Sequence, residues 1–112
     1  MNNSKNLLIL GANGFLGKNI VNKLHEKNEY KVYQLNGKND LDLTKDTLLN
    51  NYLSKNKINY IINCAAFVGG IAYGYDFPAE LLMKNTTMAS NIYKSAYENG
   101  VELLVNPISL EG

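Results

Sequence analysis

Leu7-Leu8-Ile9-Leu10-Gly11-Ala12-Asn13-Gly14-Phe15-Leu16-Gly17 is the stretch on which the reading of this chain turns. Four consecutive apolar residues fit a strand buried on both faces, as in the middle of a parallel sheet. A glycine at every third position then interrupts the run. Beyond it Phe15, Leu16, Ile20, Val21 and Leu24 recur at helical spacing, which predicts a helix over 14–28. A strand that runs through a glycine turn into a helix N-terminus is an anion site. The first N–H groups of the helix have no carbonyl partner within it, and the positive end of the helix dipole faces the same way. In this reading Gly11 makes the turn, Gly14 admits a pyrophosphate and Gly17 lets the helix lie close to the sheet. The N–H groups of Phe15 and Leu16 point at phosphate, with Asn13 in the same turn. The expected occupant is a dinucleotide.

Outward from that stretch the chain alternates strand and helix. Lys5–Leu10 reads as the first strand, and Lys31–Leu35, with its polar interruptions, as a second one nearer the edge. Asn36-Gly37-Lys38-Asn39-Asp40 is a turn, and Thr44 is the expected N-cap of a helix that runs to Asn56. Asn59–Asn63 is the next buried strand. Residues 64–76, with Gly69, Gly70 and Gly74, form a loop over its carboxyl end. Pro78 opens a long helix in which Leu81, Leu82, Asn85, Met88, Ala89, Ile92, Tyr93 and Ala96 share one side, and Gly100 suits its C′ position. Val101–Val105 is the last strand.

The order β-α-β-α-β-α-β with short connections implies parallel strands and right-handed crossovers. The fold class is therefore α/β, a partial Rossmann-type doubly wound parallel sheet with its site at the carboxyl ends of the strands. The second half of such a sheet, and any substrate domain, lie outside these 112 residues. Residues 1–109 read as the N-terminal part of the domain and 110–112 as a truncation or cloning remnant.

Composition narrows the function. The chain is 46% apolar and 19% charged with a net charge of +1, and its lysines are interspersed with carboxylates. A nucleic-acid binder or a membrane-surface protein would show a basic face, so neither partner is expected. The longest apolar runs are too short for a transmembrane span, and the single cysteine fits a reducing, cytoplasmic setting. One cysteine, Cys64, and one histidine, His25, cannot make a metal site.

The spacing Gly11-x-x-Gly14-x-x-Gly17 resembles that of the short-chain dehydrogenase/reductase superfamily, in its extended branch, the NAD-dependent epimerase/dehydratase family. Asn63-Cys64-Ala65-Ala66 is similar to that family's strand-end motif. Ala66-Phe67-Val68-Gly69-Gly70-Ile71, then Pro78-Ala79-Glu80 and Asn85, resemble the corresponding run of the GDP-L-fucose synthases, with Asn85 and Asn91 as the two asparagines of the long helix. The resemblance covers nearly the whole chain but only the first third or so of a family member. It implies a cofactor lined by Ala65, Ala66 and Val68, an active-site backbone braced by Asn85, and pairing of two copies through the long helix.

At the adenosine end, Gln34, Leu35 and Asn36 stand where an NAD site usually carries a carboxylate, and Lys38 follows. A lysine there suits a 2′-phosphate, so NADP is the expected cofactor, with NAD as the other candidate. Asp42-Leu43 resembles the family's pair that meets adenine, and a turn carboxylate is the equal alternative for Asp42. The superfamily's chemistry needs a Ser/Thr, a Tyr and a Lys four residues after that Tyr. None of the eight tyrosines here has lysine at that position. Ser109 alone falls where a catalytic residue is implied. The resulting expectation is the NADP(H)-binding portion of a nucleotide-sugar epimerase/reductase, inactive alone, whose sugar substrate binds only to a full-length parent. A stand-alone nucleotide-binding or regulatory module without catalysis is the alternative.

Overall fold

The computed structural model describes residues 5–27, 29–36, 40–45, 47–65 and 78–105. Its elements, in chain order, are β1 (Lys5–Leu10), α1 (Phe15–Lys27), β2 (Tyr30–Leu35), α2 (Leu48–Lys55), β3 (Tyr60–Asn63), α3 (Pro78–Glu98) and β4 (Leu103–Val105). The strands form one sheet in the order β2-β1-β3-β4, every pair parallel. The expected α/β doubly wound sheet is therefore present.

Strand alternation explains why helices cover both faces. Leu7 and Ile9 of β1 pack with Ala12 and Val21 on the α1 side, joined by Ile20, Leu24, Val32 and Ile62. Leu8 and Leu10 point the other way and pack with Leu49 and Leu53 of α2, Ile61 of β3, and Ile92 and Ala96 of α3. Leu8, Ile9 and Leu10 are fully buried, as a run without polar interruption requires. β1 is the central strand by composition, and the topology agrees.

The chain leaves β1 toward β2 on one side and returns to β3 on the other. The carboxyl ends of β1 and β3 therefore flank the point where strand order reverses, the place where open α/β sheets bind ligands. At the opposite end of the sheet a polar clasp holds three strands in register. The Asn59 side chain accepts from Asn6 N–H at 2.9 Å and donates to Glu102 Oε2 at 3.1 Å, where Lys5 Nζ also sits at 3.3 Å.

Three local expectations change. Thr44 does not cap α2: its hydroxyl donates to Asp42 Oδ1 at 2.6 Å, and the helix begins only at Leu48, with Thr47 at the N-cap position making no side-chain bond. Short polar side chains compete for nearby partners in this way. On α3, Leu82 and Tyr93 are 67% and 56% exposed, so they lie off the buried stripe. That stripe instead takes in Asn91 and Ser95 beside Ile92 and Ala96. With Met83 and Tyr97, Leu82 and Tyr93 leave one face of α3 apolar and uncovered. β4 starts two residues later than expected, because Gly100 (φ 69°) and Val101 complete the α3 terminus. Val101 N–H donates to Ala96 O at 3.0 Å and Gly100 N–H to Tyr97 O at 3.4 Å, the paired bonds of a Schellman cap.

Candidate dinucleotide site

The site is built on the turn between β1 and α1. Gly11 has φ 75°, a conformation that L side chains rarely adopt, and a Cβ there would lie 2.8 Å from Ala65 N and Cys64 C. Its N–H donates to Leu35 O at 2.9 Å, and Ala12 N–H reaches the same oxygen at 3.3 Å. The end of β2 is thus tied directly to the glycine turn. On the other side Cys64 N–H donates to Leu10 O at 2.8 Å, and Ala65 N–H to Asn63 Oδ1 at 3.0 Å. The three strand ends converge on Gly11.

Gly17 is buried at the start of α1. A Cβ on it would strike Gly11 O and come within 2.8 Å of Ala12 Cα. The helix can approach the turn only without that atom. Gly14 differs. It is exposed, its φ is ordinary, and the nearest heavy atom to an added Cβ is Gly11 O at 3.5 Å. Its carbonyl accepts from Lys18 N–H at 2.9 Å, which makes it the N-cap of α1. Nothing among the described residues requires glycine at this position, so the open space is available to a ligand. Phe15, Leu16 and Gly17 follow with no carbonyl four residues back inside the helix. Phe15 is 87% exposed and Leu16 46%, so neither side chain joins the apolar stripe of α1 expected from their spacing. They stand at the mouth of the turn, with exposed Asn13 beside them.

The residues expected at the adenosine side follow β2. Asn36 N–H donates to Asp40 Oδ2 at 2.7 Å, a contact the sequence reading did not anticipate. Asn36 Oδ1 is buried and has no hydrogen-bond partner among the described residues. Asp42 accepts from both the N–H and the hydroxyl of Thr44, and its carbonyl from Lys45 N–H at 3.1 Å, so it organises a turn. Leu43 packs its side chain against the core cluster of the α2–α3 face, and its carbonyl accepts from Asn91 Nδ2 at 2.9 Å. Asn91 is 9% exposed, and its side chain holds the backbone of the loop before α2. Asn85 is half-buried on the same helix. Asn91→Ala is expected to lower stability by about 2 kcal/mol, since it orphans the Leu43 carbonyl. A urea unfolding curve measures it, and an unchanged midpoint would remove the bracing role.

Burial raises the Cys64 thiol above its ordinary pKa, which disfavours the reactive thiolate and fits an inert packing role. His25 is exposed on α1. Lys38, Ala66, Val68 and Ser109 lie outside the described residues. Among the described residues no His, Cys, Asp and Glu side chains group into a metal centre, and no helix is long and apolar enough to cross a membrane.

This geometry can be set beside known proteins. The NAD dependent epimerase/dehydratase family model matches residues 7–111. The chain belongs to that family. GDP-L-fucose synthase 1 of Arabidopsis thaliana is 34% identical over 102 residues, covering 91% of this chain and 31% of that protein. GDP-L-colitose synthase of Yersinia pseudotuberculosis is 33% identical over 100 residues, covering 89% of this chain and 32% of that protein. The dTDP-4-dehydrorhamnose reductase of Bacillus anthracis str. Ames, solved in complex with NADP, is 26% identical with a TM-score of 0.77, covering 89% of this chain and 35% of that one. The chain thus spans about a third of the length of these epimerase/dehydratase relatives.

Proposed function

We propose that this chain is the NADP(H)-binding portion of a nucleotide-sugar epimerase/reductase of the GDP-L-fucose synthase kind. The observation that carries the proposal is the glycine turn at the point of strand reversal. Gly11 and Gly17 are required by the chain's own backbone, whereas Gly14 leaves room that the fold does not use. The relatives that act on GDP-sugars, and the reductase solved with NADP, support the rest.

In this reading the N–H groups of Phe15 and Leu16 hold the pyrophosphate, and the start of α1 adds its dipole. Asn36 and Lys38 meet the adenosine ribose, Lys38 pairing with the 2′-phosphate. Asp42 and Leu43 border the adenine, while Ala65, Ala66 and Val68 line the nicotinamide side. A bound nicotinamide dinucleotide supplies or accepts hydride at the sugar carbon. Ser109 is the one residue of the hydride-transfer machinery that we assign to this chain. Proton transfer needs a tyrosine with a lysine four residues on, and none of the eight tyrosines here has one, so the chain by itself does not turn over a sugar nucleotide. The uncovered apolar face of α3 is where the family resemblance seats a second copy.

Calorimetric titration with NADP and with NAD tests the binding half. Saturable binding is expected, and heat from neither dinucleotide would end the proposal. GDP-sugar-dependent oxidation of NADPH by the purified chain is expected to be absent, and a measurable rate would overturn the inactivity.

A further inference from the structure

We propose that Asn91 is a positioning residue for the base of the dinucleotide, holding the Asp42–Leu43 turn in the place from which that base is read. This rests on the dinucleotide reading above and deepens it at the adenine. Asn91 lies on the buried side of α3 with Ile92, Ser95 and Ala96, and is 9% exposed. A buried amide is costly unless its hydrogen bonds are made, and leucine would fill such a position at less cost. What the amide does there is specific. Its Nδ2 donates to Leu43 O at 2.9 Å, across 48 residues of chain.

The turn that Asn91 reaches is also held by contacts of two other kinds. Leu41 and Leu43 pack their side chains against the core of the α2–α3 face. Asp42 accepts from the N–H and the hydroxyl of Thr44 at 3.0 and 2.6 Å, and its carbonyl accepts from Lys45 N–H at 3.1 Å. Apolar packing is non-directional, and these Asp42 bonds close the turn on itself. Neither sets how the turn is oriented toward the strand ends. The Asn91 bond does, because it is directional and its donor stands on a helix of 21 residues. Without it the turn keeps its internal bonds and its leucine anchors but loses its fixed orientation. The polar edge of the base is what such a rotation misaligns. Adenine presents an amine donor where hypoxanthine presents a carbonyl acceptor, so a fixed turn distinguishes the two bases and a loosened one does not.

The test compares NADP with nicotinamide hypoxanthine dinucleotide phosphate, each titrated calorimetrically into the wild-type chain, Asn91→Leu and Asn91→Gln, with circular dichroism confirming that each protein is folded. The wild type is expected to favour NADP by at least about tenfold, since the wrong base leaves polar groups of the site unpaired. Asn91→Leu keeps the bulk and removes the donor, and its preference should fall to about twofold or less. Asn91→Gln keeps an amide and should retain a clear preference for NADP. A variant that is merely less stable loses affinity for both ligands by the same factor, because only the folded fraction binds. The ratio therefore separates positioning from stability. Should Asn91→Leu fail to fold, Asn91→Ser, whose side chain is too short for Leu43 O, carries the same expectation. A preference unchanged in the leucine or serine variant, lost equally in Asn91→Gln, or absent from the wild type overturns the role of Asn91 and leaves the dinucleotide site standing. A wild-type chain that binds neither ligand overturns both.

Discussion

Gly17→Ala is expected to cost about 3–4 kcal/mol, a severe loss for a domain whose whole stability is of order 5–15 kcal/mol. The single added carbon would strike Gly11 O and stand 2.8 Å from Ala12 Cα and 3.0 Å from Ala12 C. All three are backbone atoms of the turn, so no rotamer change relieves the overlap. Either α1 lifts off the sheet, loosening the packing of Val21 against Leu7 and Ile9, or Gly11 gives up the bond from its N–H to Leu35 O. Both routes separate elements that the core needs together, as overpacking against an unyielding neighbour does. Alanine is otherwise the better helix former by close to 1 kcal/mol, so a destabilised variant isolates the steric term. Thermal unfolding followed by circular dichroism should show the midpoint fall by 10 °C or more, on the scaling of about 4–8 °C per kcal/mol for a domain of this size. A midpoint within two or three degrees of wild type would mean that the helix does not approach the turn as described.

That contact shows what kind of information the linear sequence holds. β1 was legible because burial on both faces leaves one signature, an apolar run without alternation, and Leu7–Leu10 show it. The end of α3 was legible through Gly100, where a positive φ selects glycine. The start of α2 was not. Thr44 is a good N-cap by residue type, but Asp42 lies two positions upstream and captures its hydroxyl. Propensity ranks residues singly, and this outcome is a contest between neighbours. The face of α3 was blurred for another reason. Leu82 and Tyr93 are apolar and lie at the margin of the stripe, whereas Asn91 and Ser95 are polar and buried within it. Asn91 is there because Leu43 O awaits it from a loop nearly fifty residues earlier, and no helical period encodes that partner.

The site divides along the same line. The proposed phosphate end is local in sequence, so Gly11, Gly14 and Gly17 could be assigned separate roles from spacing, and backbone contacts account for the turn at Gly11 and the close helix approach at Gly17. The proposed adenosine end is assembled from a strand terminus and the residues that follow it. There the sequence showed Asn36 without a carboxylate beside it, while the fold brings Asp40 to its N–H. A hydrogen bond across four residues in a turn has no periodic signature. Asp42, weighed equally between turn and adenine contact, is seen forming a turn with Thr44.

Gly14→Asp separates the role of the turn in folding from its role in binding. Gly14 accepts the first helical bond from Lys18, so it occupies the N-cap, where aspartate ranks above glycine and its charge complements the helix dipole. The site has room for the side chain: φ is ordinary and the nearest atom to a Cβ is 3.5 Å away. The variant should therefore fold with stability equal to the wild type or better by a few tenths of a kcal/mol. Its carboxylate would meanwhile occupy the volume assigned to the pyrophosphate, take up the N–H groups of the first helical turn, and place a negative charge against the two charges of that pyrophosphate. Losing those charge-assisted bonds and adding repulsion should weaken dinucleotide binding by at least about a hundredfold. Paired measurements decide it, a urea melt for stability and calorimetry for NADP. A stable variant that no longer binds means that glycine is kept at this position for the ligand. A variant that binds NADP as the wild type does would place the pyrophosphate elsewhere, and a variant that fails to fold would show that the space at Gly14 belongs to the chain itself.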